Sequence, residues 1–452
     1  MVLLRYALWR PAHLGRHRRH RTHPLRETLR LSAVITLLGK ADWLHDEHLQ
    51  RLLAVLKEGG EEARVAGGAV RNTLLDQPVA DIDIAATTLP DEIIRRAEAA
   101  GFKTAPTGIE HGTITVVAGG KPYEVTTLRA DVETDGRRAK VIFGRDWKAD
   151  AERRDFTINA LYAEADGTVV DLVGGVADIE ARRLRFIGGA EARIREDYLR
   201  ILRFFRFFAW YGDGRPDAEG LKACARLKEG LAQLSAERVW SELKKLLSAP
   251  DPSRALLWMR QAGVLSAALP ESEKWGIDAI HGLIRTGKDL GWAVDPILRL
   301  EAIVPPDAVR MKTLGERLRL SNEEAGRLRH WALTAAPEAK VTETELAKKL
   351  YYGDRDGYLD RIRLALAAAR TRAVEDNQAM MEAGGFSRLL NFTLKWEKPV
   401  FPIKGADLTG LGAAPGPKLG ATLKNLEKEW VGSGFTLERD ALMQRAAQAL
   451  EI

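Results

Sequence analysis

The sequence predicts an α+β protein: an N-terminal head built on a small mixed sheet with helices, followed by an all-helical neck, body and tail. Three observations predict it. Short, β-branched, partly alternating segments cluster between residues 60 and 187 and then stop. From Ala190 onward the apolar spacing is helical, punctuated by prolines and capping patterns. At 452 residues the chain is too long for one core. The expected division is a basic tail over 1–40, the head over 41–187, a helical neck over 188–275 and a helical body and tail over 276–452.

The tail is expected to be disordered. Residues 1–30 hold eight arginines (Arg5, Arg10, Arg16, Arg18, Arg19, Arg21, Arg26 and Arg30) against one acid, Glu27. That segment is therefore +7 in a chain of net charge +6, so the rest is close to neutral. Nucleic acid, if bound by the body, needs a local basic face. The arm reads as an RNA-binding extension, an arginine-rich targeting segment or a start placed upstream. No apolar run approaches the roughly 18–20 residues of a membrane span, so no membrane partner is expected. Cys224 is the only cysteine, which excludes an intrachain disulfide. A cytoplasmic location is expected.

The head opens with "ADWLHDEHLQRLLAVLKEGG", read as a helix with Asp42 as N-cap and Gly59-Gly60 as the stop. Its His45, Asp46 and His48 suggest a metal site or an exposed first turn; nothing else in the chain supplies matching ligands. "ARVAGGAV", "ADIDIAA", "GTITVVAG" and "KPYEVTTL" read as strands, the last two joined by a Gly119-Gly120 hairpin turn. "DEIIRRAEAAG" is a helix between them, and "GTVVDLVGG" closes the unit. Beyond it, "SNEE" (321–324) and "TETE" (342–345) match the capping box, and Pro250, Pro252, Pro270, Pro305 and Pro306 mark turns.

The chemistry concentrates in residues 67–85, "GGAVRNTLLDQPVADIDIA". Positions i and i+2 of a strand share a face, so Asp81 and Asp83 are expected side by side, with Ile82 and Ile84 directed into the core. Two ionised carboxylates this close repel. A divalent cation removes the conflict, and magnesium commonly takes one or two carboxylates plus substrate phosphates. Gly67 and Gly68 let backbone approach a phosphate, a helix starting near Ala69 aims its N-terminus there, and Arg71 adds a guanidinium. Glu124, between Tyr123 and Val125, alternates onto the opposite face from those two and is a third acid for metal or for deprotonation. In "RRDFTINALY", a helix would place Asp155 and Asn159 on one face. Arg153 or Arg154 would meet phosphate or ribose, and Asn159 suits a sugar hydroxyl. The plain alternative is strand-end acids and solvated arginines.

"GGAVRN…DIDIA", "EVTTLR", "RRDFTINALY" and "REDYLRILRFFRF" occur in an order that resembles the class II CCA tRNA nucleotidyltransferases and bacterial poly(A) polymerases. The resemblance spans residues 42–275, and "GADLTGLGAAPGPKLG" extends it. It implies magnesium on Asp81 and Asp83 in a two-metal site. It also implies triphosphate contacts from the glycine–arginine segment and ribose contacts from Arg153, Arg154 and Asp155. Two positions depart from the family pattern: Asn72 stands where an aspartate is usual, and Asp76 near a usual glycine.

"REDYLRILRFFRFFAW" is apolar around most of its circumference, yet Arg200, Arg203 and Arg206 recur every third residue. Buried charges must pair or line a wet cleft; an Asp197–Arg200 pair at i,i+3 is the structural option. Functionally, a carboxylate accepts from the amino group of cytosine or adenine, while guanine and uracil present a carbonyl there and leave the site unpaired. The resemblance implies that Asp197 and Arg200 form this template, with Arg203 and Arg206 near the triphosphate. It implies that Asp135-Gly136-Arg137 belong to a flexible specificity loop, and that neck and body hold the tRNA acceptor arm. "PGPKLG" reads as a phosphate contact or a helix cap. No His–Asp phosphohydrolase set is present. The function expected is CCA addition to the tRNA 3′ end from CTP and ATP. A poly(A) polymerase or A-adding enzyme is the nearer rival, and a non-catalytic RNA-binding protein the remote one.

Overall fold

The computed structural model describes residues 35–130, 142–272, 277–374 and 376–451. The basic segment 1–34 and the Asp135-Gly136-Arg137 loop lie outside the described residues.

Among the described residues nine strands form, in chain order: β1 (Ala63–Ala66), β2 (Asp83–Ala86), β3 (Lys103–Gly108), β4 (Thr113–Ala118), β5 (Lys121–Thr127), β6 (Arg129–Ala130), β7 (Ile142–Phe143), β8 (Leu161–Ala163) and β9 (Val169–Asp171). Seven make one sheet in the order β3-β4-β5-β2-β1-β8-β9, and β6 pairs with β7 apart from it. The sheet is mixed: β2 and β5 run parallel, while the other neighbours are antiparallel. Period-two alternation drives it. Ile114, Val116 and Ala118 of β4 and Tyr123 and Val125 of β5 are buried on one face. The helices Glu47–Leu56 and Pro90–Ala99 supply Leu49, Leu52, Leu53, Ile93 and Ala97 to the same cluster. Gly119 (φ 58°) and Gly120 (φ 78°) make the β4–β5 turn. Positive φ at both central residues matches the twist of the strands.

The first helix starts later than expected. Residues Asp42–His45 form a 3₁₀ turn, and Asp46, not Asp42, caps Glu47–Leu56. Asp46 Oδ1 accepts from the His48 and Leu49 N–H groups, and its other oxygen pairs with Lys121 at 2.6 Å. Asp46 of the "HDEH" segment is therefore a helix cap.

After β9 the described chain is helical. The neck holds Ala190–Glu196, Leu199–Tyr211, Ala218–Leu227, Ala236–Leu247 and Ser253–Gln261. The largest apolar cluster runs from Leu37 in the head through Phe204, Leu243 and Trp331 to Ala367. A second joins Leu346, Leu359, Ile362, Leu366 and Leu389, and a third surrounds Leu408, Trp430 and Leu442. Ser321 and Glu324 complete a capping box; Thr342 caps through the Glu345 N–H alone, because the Glu345 carboxylate reaches Lys348. Among the described residues no helix is long and apolar enough to cross a membrane.

Candidate active site

Strand register assembles the acids. Asp83 opens β2 and stands opposite Glu124 of the parallel neighbour β5. Register partners on neighbouring strands share a face, and both side chains are exposed while Ile84, Tyr123 and Val125 are buried. Asp81 and Ile82 precede the strand rather than belonging to it, which corrects the expectation of a strand holding both aspartates. Asp81 is exposed, and Ile82 is half-buried against the core. Packed protein around Asp83 pushes its carboxyl above the ordinary carboxylate range. Glu124 and then Asp81 add to that rise, and Arg154 opposes it. Three carboxylates and one guanidinium thus share one electrostatic neighbourhood.

The glycine turn is built differently from expectation. Gly67 (φ 65°) precedes the short helix Gly68–Leu74, but its N–H donates to the Leu161 carbonyl at 2.8 Å. That donor is engaged within the sheet and not open to a phosphate. A side chain at Gly67 would come within 3.3 Å of Arg154 Nη1 and the Asn159 carbonyl. Arg71 is likewise turned inward and only 7% exposed. It donates to Asn159 Oδ1, to Asn72 Oδ1 through Nε at 3.1 Å and Nη2 at 2.9 Å, and to the Tyr211 hydroxyl at 2.9 Å. Its guanidinium also lies 4.2 Å from the Tyr211 ring centre. Asn72 therefore braces Arg71 as a neutral acceptor, and among the described residues no carboxylate hydrogen-bonds to this arginine. Burial lowers the Arg71 pKa.

Residues 153–159 are not an α-helix. A bend at Asp155 leads into a 3₁₀ turn, Thr157–Asn159. Asp155 and Asn159 still meet: Asn159 Nδ2 donates to Asp155 Oδ1 at 3.0 Å. The turn is pinned from outside by buried Asp178, which accepts from Thr157 Oγ1 at 2.6 Å and from Arg183 and Arg185. Asp150, at three and four residues' spacing, accepts from Arg153 Nε at 2.8 Å and Arg154 Nε at 3.2 Å, and from the Tyr162 hydroxyl at 2.7 Å. Burial pushes the Asp155 carboxyl up, but Arg203 and Asn159 outweigh it and hold it below the ordinary range.

The three arginines of helix Leu199–Tyr211, Arg200, Arg203 and Arg206, all find partners. Arg203 Nε donates to Asp155 Oδ2 at 2.7 Å. Arg206 Nε lies 2.6 Å from Glu242 Oε2, an ion pair too bent to count as a hydrogen bond. Phe207 packs against Arg71, Arg203 and Arg206 together. The Asp197–Arg200 ion pair, the structural alternative to the template reading, does not form among the described residues. Asp197 Oδ2 accepts from Arg238 at 2.7 Å and Oδ1 from the Leu199 N–H at 3.1 Å. Arg200 pairs instead with Glu196 and donates to the Arg193 carbonyl at 2.8 Å. Sequence reading missed Asp150, Tyr211, Arg238 and Glu242. Only Asp150 carried a local signal, its i,i+3 and i,i+4 spacing to two arginines; the other three act across long stretches of chain.

A mixed sheet that lifts three acids to one end, joined through Asp155–Arg203 to an arginine-lined helix, defines a nucleotidyltransferase head seated on a helical neck. The family described as "Poly A polymerase head domain" matches residues 63–185, and "Probable RNA and SrmB- binding site of polymerase A" matches 215–275. The mouse (Mus musculus) protein "CCA tRNA nucleotidyltransferase 1, mitochondrial" is 34% identical over 407 residues, covering 88% of this chain and 90% of its own. The Levilactobacillus brevis "CCA-adding enzyme" is 30% identical over 407 residues, covering 88% and 96%. The solved Bacillus stearothermophilus CCA-adding enzyme in complex with CTP superposes with a TM-score of 0.66 at 26% identity, over 89% of this chain and 96% of that one. The chain belongs to the CCA tRNA nucleotidyltransferase family.

Proposed function

We infer that this protein is the enzyme that adds CCA to the 3′ end of tRNA, taking CTP and ATP and releasing pyrophosphate. The observation that carries the reading is near full-length kinship with proteins named for CCA addition. The terminal tRNA hydroxyl attacks the α-phosphorus; the new P–O bond forms as the bond to the β-phosphate oxygen breaks.

The donor set fits magnesium. Among the described residues no three or more His, Cys, Asp or Glu side chains group as a metal site. A cation that takes one or two carboxylates and completes its shell with substrate phosphates and water needs no such cage. Asp81 and Asp83 would hold it, with Glu124 beside them, and their mutual repulsion is what a cation relieves. When bound, magnesium supplies activation of the attacking hydroxyl and stabilisation of the leaving oxygen. The protein's own groups do the rest. Asp150 aims Arg153 and Arg154 at the ribose and phosphates. Asp155 and Asn159 tie that segment to the neck through Arg203 and Arg71. Arg71, Arg203 and Arg206, with Asp155 and Glu242 as counter-charges, leave one positive charge in excess for the triphosphate. Gly67 and Gly68 keep this surface clear of side chains. Asp197 accepts the amino group of cytosine or adenine, and Arg200 exchanges Glu196 for the base.

We also propose the division into head (41–187), neck (188–275) and body (276–452) as functional units, and a cytoplasmic location. The mouse and human relatives carry "mitochondrial" in their names, so localising a tagged full-length chain decides that point.

The test is incubation with tRNA lacking its last three nucleotides and each labelled nucleoside triphosphate. Growth that halts at C-C-A is expected. Long adenosine tails would instead identify a poly(A) polymerase, and no incorporation a binding protein. Asp83→Ala should lower kcat at least about a hundred-fold, and Asp197→Ala should admit UTP and GTP.

A further inference from the structure

The segment that carries Asp81 is pinned by the side-chain amide of Asn72. After helix Gly68–Leu74 the chain turns at Asp76 and runs through Gln77, Pro78, Val79 and Ala80 to Asp81, and only Asp83 opens β2. Strand pairing therefore does not place Asp81. Two bonds to Asn72 fix the chain before it. The Gln77 N–H donates to the Asn72 backbone carbonyl at 2.8 Å, and Asn72 Nδ2 donates to the Pro78 carbonyl at 2.8 Å. Residues 79–82 then span from Pro78 to the start of β2, with Val79 and Ile82 packed partly against the core.

The same amide faces Arg71. Asn72 Oδ1 accepts from Arg71 Nε at 3.1 Å and Nη2 at 2.9 Å, and Arg71 Nη2 also reaches the Tyr211 hydroxyl of the neck at 2.9 Å. Donors on one side and an acceptor on the other fix which way round the amide sits. A carboxylate at this position would keep the Arg71 contacts. Being an acceptor only, it would also set an oxygen against the Pro78 carbonyl. Its bonds to a guanidinium are the stronger kind, so the fold would not suffer, but the Pro78 tie would be lost. The asparagine at position 72 is thus a change of chemistry, an added donor, and not merely a missing charge.

We propose that Asn72 is a positioning residue for Asp81: its amide joins Arg71 to the segment that presents this acid to the metal. The proposal rests on the reading of Asp81 and Asp83 as magnesium ligands. Tyr211 of the neck, Arg71, Asn72 and Pro78 form one hydrogen-bonded line, and the acid just beyond Pro78 takes its place from that line. Residues that orient a metal ligand without touching the ion typically set metal affinity by about 10–100-fold. Asn72 is half-buried and Pro78 is exposed, so water satisfies the Pro78 carbonyl when the amide donor is removed. Stability then changes little, and the loss reads out on the metal.

Asn72→Asp keeps the acceptor and loses the donor; Asn72→Leu loses both. Each is compared in the full chain with wild type and with Asp83→Ala. Binding of manganese, an oxygen-seeking spectroscopic substitute for magnesium, is read by electron paramagnetic resonance with and without CTP. Tm and steady-state addition of C and A to shortened tRNA are measured beside it. Both Asn72 variants should weaken manganese binding about ten-fold and lower kcat. Asn72→Asp should nonetheless hold or raise Tm. Unchanged or tighter manganese binding in Asn72→Asp, beside weakened binding in Asp83→Ala, overturns the proposal and leaves the magnesium reading standing, whatever the leucine variant does. Unchanged binding in Asp83→Ala overturns the magnesium reading itself. Weakened binding in Asn72→Asp with Tm lowered as far as in Asn72→Leu assigns Asn72 to the scaffold and also overturns the proposal.

Discussion

Asp76 has φ 53°, and a left-handed backbone costs a residue with a side chain about 1–2 kcal/mol. That is the physical reason a glycine suits this neighbourhood and the reason its replacement is tolerable here, since aspartate adopts this region more readily than most residues. The Asp76 carboxylate meets Lys40 at 3.4 Å, but the two side chains are 77% and 53% exposed, so the pair contributes at most about 1 kcal/mol. Asp76→Gly should therefore stabilise the fold by about 0.5 kcal/mol and Asp76→Ala destabilise it by a similar amount. Urea unfolding of the two variants measures this; a destabilised glycine variant would mean that Lys40 holds the turn. The neighbouring departure, Asn72, works by another route. A neutral amide accepts two bonds from Arg71, so bracing is kept while the positive charge of the arginine stays uncompensated for an anion.

The helices Leu199–Tyr211 and Ala236–Leu247 are locked by charge inside an apolar contact. Glu242 is 5% exposed and faces Arg206 at 2.6 Å and Arg203 at 3.9 Å. Removing one partner of a buried pair leaves the other charge unpaired, at about 3–5 kcal/mol. Glu242→Gln should lose about 3 kcal/mol in chemical denaturation, and Arg206→Met in the same background should recover much of it. A loss under 1 kcal/mol would mean that water already solvates Arg206. This contact also shows what was legible in the sequence. The need for partners was plain from arginines at every third position of an apolar helix. Their identity was not, because Asp155 and Glu242 come from other elements. The local option, Asp197 with Arg200, lost to Arg238, 41 residues away, because Asp197 sits in a break between helices rather than within one. Period-two alternation in β4 and β5, and the glycine pair between them, were readable because each depends only on neighbours. The Asp155–Asn159 contact was anticipated through the wrong geometry: a bend and a 3₁₀ turn reach it, set by Asp178, 21 residues on from Thr157. The burial of Arg71 has no local signature, because its partner Tyr211 lies 140 residues away.

Across the whole molecule, stability is tied to pH by a carboxyl far from the candidate active site. Glu301, on helix Pro296–Ile303, is 1% exposed, and neither of its oxygens has a hydrogen-bond partner among the described residues. Burial pushes its pKa well above the ordinary carboxylate range; Asp360 and Asp295 push the same way, while Arg327 and Arg361 oppose. Those arginines are engaged elsewhere. Arg327 pairs with Asp360 at 2.8 Å and also with Asp295, and Arg361 donates to the Trp331 carbonyl at 3.0 Å. The cluster sits where Pro296–Ile303, Asn322–Leu333 and Arg355–Arg372 meet, between the first and second apolar cores. An unfolded glutamate titrates near 4.3. Below that pH both states are protonated and Glu301 adds no pH-dependent cost. As pH rises, the unfolded chain gives up the proton while the folded chain keeps it, so the folded state binds more protons and stability falls with pH. Glu301→Gln removes that dependence. Its gain should be near zero at pH 4 and reach on the order of 1–3 kcal/mol at pH 8, read from urea midpoints at both pH values. A glutamine variant less stable than wild type at pH 8 would show the opposite arrangement, an ionised Glu301 paired with Arg327 or Arg361, and would move the link between pH and body stability to another group.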